Sequence, residues 1–406
     1  MSLFLQLVSV SKAVEEVKKI AVRCGDESVP LADALHRILA RDVHADVDIP
    51  GFTRSVVDGF AVRAADTTGS SDTLPSIFTF RGRISMGTSS DTPVQPGECI
   101  YVPTGGILPD SADAVVMIEH AEQLGGEGLV KEVLVKKPVA YGENVLFFNE
   151  DFSRGDIVCG RGKKLSPRDI GVLAAAGCIQ VPVVRMPKVG IISTGNELVT
   201  VSTRPLPGQV RDINSFVVAS FVQEQGGIPL LFGIVQDDQD TLRSAVSKAA
   251  AECDAVLISG GSSKDDRDVV AAVIGDLGEV LIHGIAISPG KPTIIGRSGP
   301  IPLIGLPGHP ASAFIVLIAI VCHLLAGMTG ETGSNIRVMP ATLGQNVPSS
   351  KGREDYVRVA VRDGIATPVF GKSGLLNTLV QSTGVVRVPA ESEGLETGTR
   401  VEVIVW

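Results

Sequence analysis

Two kinds of apolar segment alternate along the chain between residues 181 and 330. The clearest are the strand-like KVGIIST (188–194), IPLLFGIV (228–235) and IPLIGL (301–306) and the helix-like NSFVVASFVQEQ (214–225) and DTLRSAVSKAAAE (240–252). Such alternation favours a mainly parallel sheet with helices on both faces, because a helix then makes each crossover between strands. We therefore predict a central three-layer α/β domain over residues 181–330.

The remaining residues show other patterns, which predict three further domains. Residues 1–49 contain two segments of helical spacing, SVSKAVEEVKKIA and PLADALHRILARDV, and with residues 144–180 they are predicted to form a helical N-terminal domain. Short β-like runs between Gly, Pro and Asp indicate a β-rich inserted domain over residues 50–143. Val-rich runs without a helical period indicate a small, barrel-like β-domain over residues 331–406. The predicted fold class is multidomain α/β plus β, in keeping with 406 residues, more than one core usually serves.

The composition disfavours several classes of partner. The formal net charge is −9, aromatic residues make up 4% of the chain and no basic stripe is present, so neither nucleic acid nor an anionic membrane is an expected partner. The six cysteines form no C-x-x-C pair and the six histidines no H-E-x-x-H motif, which indicates reduced thiols and no zinc site. The N-terminal residues lack a basic lead and a cleavage site, so we expect a cytoplasmic protein.

One segment is long and apolar enough to raise the question of a membrane span. ASAFIVLIAIVCHLLAGM (311–328) carries no Asp, Glu, Lys or Arg. It contains Ser312 and His323, however, and follows the turn GLPGHP, whose Pro310 suits the first turn of a helix. A helix packed between a sheet and another domain is equally apolar all round, and we predict a buried helix here.

Four polar loops follow predicted strands of the α/β domain. They are STGNEL (193–198), SGGSSKDDRD (259–268), SPGKP (288–292) and LPGHPAS (306–312). Ligands of open parallel sheets bind beyond the carboxyl ends of the strands, where glycine-rich turns and helix N-termini can receive an anion. Lys264 and Lys291 are suited to neutralise phosphate, and Asp265, Asp266 and Asp268 are hard oxygen ligands suited to Mg²⁺. We predict a metal–phosphate site at these loops.

Each loop also has a structural alternative when it is taken singly. Asp265 or Asp266 could cap the helix that follows, and Lys291 could be an ordinary exposed lysine. The occurrence of four such loops on one predicted sheet favours the ligand site.

Seven motifs occur along the chain in one order: SVVDGFAVRAAD, VPTGGILPDSADAVVMIEH, GIISTGNEL, GQVRDINS, SGGSSKDDRD, ISPGKP and GLPGHPASA. Together they resemble the molybdopterin molybdenumtransferase family, the MoeA type that also forms the E domain of gephyrin. The resemblance covers nearly the whole chain. It implies insertion of molybdate, or tungstate, into adenylylated molybdopterin with release of AMP, a Mg²⁺-dependent step that completes molybdenum cofactor biosynthesis. It also implies a homodimer with each active site between two protomers.

The same resemblance implies a set of site residues. The implied catalytic residues are Asp58, Thr104, Asp151, Glu197, Asp212 and Asp268, of which Asp212 and Asp268 would hold the metal. The implied substrate-binding residues are Gly260, Gly261, Pro289, Gly290, Lys291, Arg353 and Ser373. Two of the acids have structural alternatives, since Asp58 could be a turn residue and Glu197 a helix N-terminal charge.

The chain departs from the family's pattern at several positions. Ser288 stands where the family usually has a lysine, His309 where it has an asparagine, and residues 146–148 where it has arginines. We predict that Lys264 supplies the charge missing at Ser288 and is a further substrate-binding residue. The departures leave room for tungstate preference, a changed substrate or a paralogue that binds without catalysing. Two alternative functions stay open: a molybdopterin adenylyltransferase, whose fold the α/β domain alone resembles, and a non-catalytic molybdopterin-binding scaffold.

Overall fold

The computed structural model describes residues 7–88, 93–125, 131–260, 269–332 and 336–406. The chain forms two compact units. The larger unit consists of Met1–Arg41, Arg161–Ser166 and Gln180–Trp406, and the smaller unit consists of Asp42–Gly160 and Pro167–Ile179. The finer division into four domains stays a prediction.

A six-stranded sheet forms the centre of the larger unit. From one edge to the other its strands are Ile228–Val235, Lys188–Thr194, Ala255–Gly260, Ile301–Leu306, Ile294–Ser298 and Glu279–His283. The first four strands run parallel, and the last two are antiparallel to their neighbours. The connection between Ile294–Ser298 and Ile301–Leu306 is only two residues long, which permits a hairpin but not a parallel crossover. The predicted mainly parallel sheet is therefore confirmed, with an antiparallel edge.

Helices cover both faces of this sheet. One face is covered by Val10–Ile20, Asn214–Glu224 and a long helix made of Pro310–Val316, a π-helical turn Leu317–Val321 and Cys322–Thr329; the other face is covered by Gln239–Glu252 and Val269–Leu277. Consecutive strand residues point to opposite faces, so Ile191 and Leu257 belong to the first core, and Ile192 and Ile258 to the second. The predicted three-layer arrangement is confirmed.

The long apolar helix is mostly buried in the first of these cores. Pro310–Thr329 has a mean hydropathy of 2.4 over its most apolar window, and 78% of that window is buried inside the protein. The sheet and the N-terminal helix supply the apolar surroundings, which confirms the prediction of a buried helix.

The N-terminal segment contains one of the two predicted helices. Val10–Ile20 is helical, and the Ser9 hydroxyl accepts a hydrogen bond from the Lys12 amide at 3.2 Å, as a Ser cap does. The second predicted helix, PLADALHRILARDV, is wrong. Leu31–Asp33 forms a single 3₁₀ turn, and the buried Ile38 and Leu39 instead bridge to strand-like backbone at Lys164 and Val183. The spacing therefore reflects burial of Ile38 and Leu39 beside the antiparallel pair Asp26–Pro30 and Gln180–Val184, not helix formation.

The smaller unit is rich in β-structure. Its main sheet has the strand order Ala114–Met117, Gly59–Val62, Glu98–Val102, Ser76–Arg83, Glu132–Val135 and Ala121–Leu124. Two short pairs accompany this sheet: Arg54–Ser55 with Val145–Leu146, and Val43–His44 with Ile157–Cys159. Within residues 144–180, which are predicted to belong to a helical domain, one helix is present, Pro167–Ala175.

The C-terminal strands of the larger unit close into a ring. Its strands are Glu354–Arg362, Ile365–Pro368, Arg337–Leu343, Arg400–Val405 and Gly384–Val388, and the last of these pairs back to the first. A short helix, Asn377–Val380, and the pair Val347–Pro348 with Gly394–Leu395 complete this part. The strand Ile287–Ser288, which comes from the α/β part of the chain, pairs with the start of Glu354–Arg362. This pairing brings the SPGKP loop to the ring.

Candidate functional site

The carboxyl ends of the central strands converge closely at Gly260. Its φ of +108° is left-handed, and a Cβ atom placed on it would lie 1.9 Å from the Thr194 carbonyl oxygen. A Cβ on Gly308, in the LPGHPAS loop, would lie 3.7 Å from the Gly260 Cα atom. Only glycine fits at position 260, because the backbones of neighbouring strand ends occupy the space of a side chain. The rest of that loop, 261–268, which includes the predicted Gly261, Lys264 and Asp268, lies outside the described residues.

Asn214 joins three of the converging segments and was missed at the level of sequence. Its amide nitrogen donates hydrogen bonds to the Ser259 hydroxyl and to the Gly308 carbonyl, both at 2.8 Å. The residue is 8% exposed, and its Oδ1 atom has no hydrogen-bond partner within the part of the chain that the structure describes. Asn214 therefore fixes two binding loops relative to the helix that it begins. The sequence feature that could have identified Asn214 is its position two residues after Asp212 in VRDINS.

Removing this side chain is expected to loosen the loops. Asn214→Ala leaves the buried Ser259 hydroxyl and the Gly308 carbonyl without their shared donor, which should cost about 1–3 kcal/mol of unfolding free energy. The exposed Gln223→Ala on the same helix is the control, and its effect should stay within about 0.5 kcal/mol. Chemical denaturation measures both. Equal stability of the two variants would show that the Asn214 bonds do not hold the loops.

Glu197 and Asp212 lie on segments that pair with each other. Leu198–Val199 runs parallel to Val210–Arg211, the Val210 amide donates to the Glu197 carbonyl at 2.9 Å, and the Asp212 amide donates to the Val199 carbonyl at 2.9 Å. The structure thus brings the TGNEL and VRDIN motifs side by side. Glu197 is exposed and lies in a turn, so the alternative of a helix N-terminal charge is wrong.

Asp212 has a structural task in addition to its predicted role. The residue is 5% exposed, and its Oδ1 atom accepts a hydrogen bond from the Ser215 amide at 3.1 Å. This bond satisfies one of the free N–H groups in the first turn of the helix Asn214–Glu224. One carboxylate oxygen is therefore engaged by the fold.

A cavity of about 410 Å³ contains four of the predicted substrate-binding residues. Its walls are residues 285–292, residues 350–353 and Leu7, so Pro289, Gly290, Lys291 and Arg353 come together. The volume is in the range of small-molecule sites. Lys351 is a third cation of the cavity that sequence reasoning missed, and none of the described lining residues is acidic. The cavity is therefore suited to an anionic ligand.

Backbone pairing and a buried carboxylate hold the cavity together. The Glu354 amide donates to the Ala286 carbonyl at 2.9 Å, across the pairing of Ile287–Ser288 with the ring. The Arg353 Nε atom lies 3.0 Å from Oδ1 of Asp355, which is 7% exposed, and the Ser349 hydroxyl donates to the other oxygen at 2.6 Å. Asp355 therefore forms an ion pair with Arg353 beside the cavity, although within the described residues its Oδ1 atom accepts no aligned hydrogen bond. Lys351 pairs at 3.2 Å with Glu393, but both side chains are largely exposed, so this ion pair is weak.

Ser373 lies against the LPGHPAS loop. Its carbonyl accepts a hydrogen bond from the Ala311 amide at 3.2 Å, and a Cβ on the neighbouring Gly374 would lie 3.4 Å from the His309 ring. The Ala311 amide belongs to the first turn of the long helix, where N–H groups lack a partner within the helix. The loop that contains Ser373 thus caps the first turn of the long helix, next to the LPGHPAS loop.

Asp58 and Thr104 meet in the smaller unit. The Thr104 amide and hydroxyl both donate to Oδ1 of Asp58, at 2.7 and 3.1 Å, and both residues are exposed. The structure thus joins the VVDGFA and PTGG motifs. Asp151 is exposed in a bend after the strand Val145–Leu146. Within the described ranges, no hydrogen bond or ion pair links its carboxylate to Asp58 or Thr104.

The described residues do not form a metal site by themselves. Among them, no three His, Cys, Asp or Glu side chains are grouped so that they could hold a metal ion. The predicted Mg²⁺ ligands are Asp212, with one oxygen already engaged, and Asp268, outside the described ranges. The metal site stays a prediction.

Comparison with known proteins supports the family resemblance that the seven motifs indicate. The α/β part, residues 190–326, matches a family profile described as "Probable molybdopterin binding domain", which defines the chain as a protein of the molybdopterin-binding class. Residues 8–177 match the MoeA N-terminal region (domain I and II), and residues 340–406 match the MoeA C-terminal region (domain IV). The chain belongs to the MoeA family, as the seven motifs predict.

Individual relatives are similar over their whole length. A molybdopterin molybdenumtransferase of Bacillus subtilis is 33% identical over 404 residues, which cover 98% of this chain and 94% of the relative. Two solved structures of the molybdopterin biosynthesis MoeA protein of Pyrococcus horikoshii are similar as well. One is 36% identical with a TM-score of 0.81 (98% and 99% of the chains covered), the other 32% identical with a TM-score of 0.88 (99% and 100% covered). These full-length similarities confirm the predicted fold class.

Proposed function

We propose that this protein is a molybdopterin molybdenumtransferase, which inserts molybdate or tungstate into adenylylated molybdopterin and releases AMP. The observation that carries the proposal is the cavity lined by Lys291, Lys351 and Arg353, whose described lining residues include no acid. The carboxylates that pair with Arg353 and Lys351 lie outside this lining. Full-length relatives that carry the name molybdopterin molybdenumtransferase support the same activity. In this proposal the cavity binds an anionic group of the substrates.

The reaction suits a site of backbone donors and cations. Cleavage of a phosphoanhydride needs neutralised charge and correct positioning more than a strong side-chain nucleophile. Lys291 and Arg353 would provide charge-assisted hydrogen bonds, each worth roughly 1.5–3 kcal/mol. The proposal includes Mg²⁺ held by Asp212 and Asp268, where the metal would neutralise phosphate charge.

Ser288 lines this cavity where the family usually has a lysine. The sequence suggests Lys264 as the compensating charge, and that residue lies outside the described ranges. Lys351 lies in the same cavity as Ser288 and offers a second source of positive charge. The cavity therefore keeps three cations in spite of the serine.

Following AMP separates this function from its alternatives. The protein is incubated with adenylylated molybdopterin and Mg²⁺, with and without molybdate. Molybdate-dependent AMP release supports the proposed transferase. ATP-dependent formation of the adenylate from molybdopterin would instead identify an adenylyltransferase, and the absence of both reactions would identify a non-catalytic scaffold.

The proposed partners are small molecules: a pterin substrate and an oxyanion, with no nucleic acid and no membrane. The net charge of −9 and the low aromatic content support the absence of a nucleic-acid partner. Burial of the long helix in the core removes the main reason to expect a membrane. The cytoplasmic location stays a prediction.

A homodimer is part of the proposal, and the resemblance to the family supports it. The buried helix Pro310–Thr329 does not, because a single chain already covers most of its surface. We expect light scattering at micromolar concentration to give about twice the chain mass of 42.4 kDa. A monomer at every concentration would contradict a site shared between protomers.

A further inference from the structure

Arg358 is a buried arginine whose charge has no counter-ion among the described residues. It lies in the strand Glu354–Arg362, is 8% exposed, and donates from Nη2 to the Gly371 carbonyl at 2.7 Å. Its Nε and Nη1 atoms have no hydrogen-bond partner, and no carboxylate pairs with it, within the part of the chain that the structure describes. Burial lowers the pKa of its guanidinium, as expected for a cation removed from water. A buried, unpaired charge of this kind lowers the stability of the fold.

The single hydrogen bond of Arg358 is made to a loop of the candidate site. Gly371 begins the segment 371–376, and a Cβ on it would lie 2.6 Å from the Thr378 methyl group, so the loop is tightly seated at this point. Two residues later the Ser373 carbonyl accepts the Ala311 amide at 3.2 Å. Arg358 thus holds one end of a loop whose middle caps the long helix beside His309.

We propose that Arg358 is a positioning residue: its guanidinium fixes the Gly371 carbonyl, keeps the Ser373 loop against His309 and Ala311, and favours an anionic ligand near that loop. The ligand part of this inference rests on the proposed function, since it takes an oxyanion as the ligand. The inference that Arg358 positions the Ser373 loop does not depend on the proposed function. Low-dielectric surroundings strengthen the pull of an uncompensated charge on a nearby anion, which gives a physical reason for retaining a destabilising arginine.

The sign of the stability change separates positioning from an ordinary structural role. Arg358→Met replaces the charged side chain by a shorter, unbranched apolar one, and we expect its melting temperature to rise by about 2 °C or more. In the same variant the Ala311 amide, freed from a firmly held Ser373 carbonyl, should exchange its hydrogen at least about tenfold faster. Hydrogen-exchange mass spectrometry on peptides containing residues 309–313 and 371–376 measures this directly.

Oxyanion binding is the third measurement, with tungstate as the probe in calorimetric titration of the full chain. We expect Arg358→Met to weaken tungstate binding about tenfold or more, and Arg358→Lys, which keeps the charge and a donating ammonium group, to recover part of it. The control is Arg362→Met, the same change at an exposed position of the same strand, which should alter none of the three readouts.

Each outcome decides the inference. A fall in the melting temperature of Arg358→Met, with Arg358→Lys equally destabilised, would make the arginine a structural residue and overturn the proposal. Unchanged exchange at Ala311 would overturn it as well. If wild-type protein binds no tungstate and releases no AMP, the proposed function fails, while the exchange and melting data still decide the role of Arg358 in the loop.

Discussion

Alanine at position 260 is expected to destabilise the protein by on the order of 2–4 kcal/mol, because it combines a strained backbone with a steric clash. The added Cβ would lie 1.9 Å from the Thr194 carbonyl oxygen, and φ at this position is +108°. The neighbouring strand ends would have to separate at the edge of the sheet where the binding loops meet. Chemical denaturation of Gly260→Ala measures the loss.

The chain offers a matched control for this substitution. Gly275 lies in the helix Val269–Leu277, is exposed, and has no atom within 4 Å of an added Cβ. Gly275→Ala should therefore stabilise the protein by about 0.5–1 kcal/mol, through helix propensity alone. A Gly260→Ala variant as stable as the wild type would contradict the close packing of Gly260 against the Thr194 carbonyl.

Neutralising Asp58 is expected to reduce molybdate-dependent AMP release at least about tenfold, as loss of a carboxylate that acts on a developing charge does. The structure shows how to separate this role from the alternative of a turn residue. Asp58→Asn keeps the Oδ1 acceptor for the Thr104 amide and hydroxyl, whereas Asp58→Ala removes it. Both variants should lose activity, and only Asp58→Ala should lose stability, by about 0.5–1.5 kcal/mol.

The control is Asp110→Asn, an exposed carboxylate of the same unit, which should change neither quantity. If Asp58→Asn is fully active and only the alanine variant is impaired, Asp58 organises the turn and is not a catalytic residue. The same design applies to Asp212, because Asp212→Asn retains the cap on the Ser215 amide that Asp212→Ala would remove.

The local sequence pattern was sufficient to predict most strands and helices of the α/β part. The predicted strands 188–194 and 228–235 coincide with the observed ones, because uninterrupted apolar runs bounded by turns leave a buried strand as the best solution. PLADALHRILARDV shows where pattern fails. Its buried residues Ile38 and Leu39 bridge to Lys164 and Val183, more than 100 residues away, and no local rule contains that information.

The candidate site could likewise be predicted only in part from the sequence. Strand ends and glycine turns mark the loops in the sequence, but the cavity exists only because Ile287–Ser288 pairs with the strand that begins at Glu354. Lys351, Asn214 and Arg358 acquire their roles from such long-range contacts, so their sequence neighbours give no sign of them. The roles of all the predicted site residues, Asp151, Glu197 and Ser373 among them, stay predictions.

The central claim is that this protein transfers metal into a pterin, and the metal content of the pterin product tests it most directly. Purified protein is given adenylylated molybdopterin, Mg²⁺ and molybdate or tungstate, and the product is analysed by mass spectrometry alongside AMP. We expect one molybdenum or tungsten atom in the pterin for each AMP released. A pterin product without metal, whether or not AMP appears, would contradict the account.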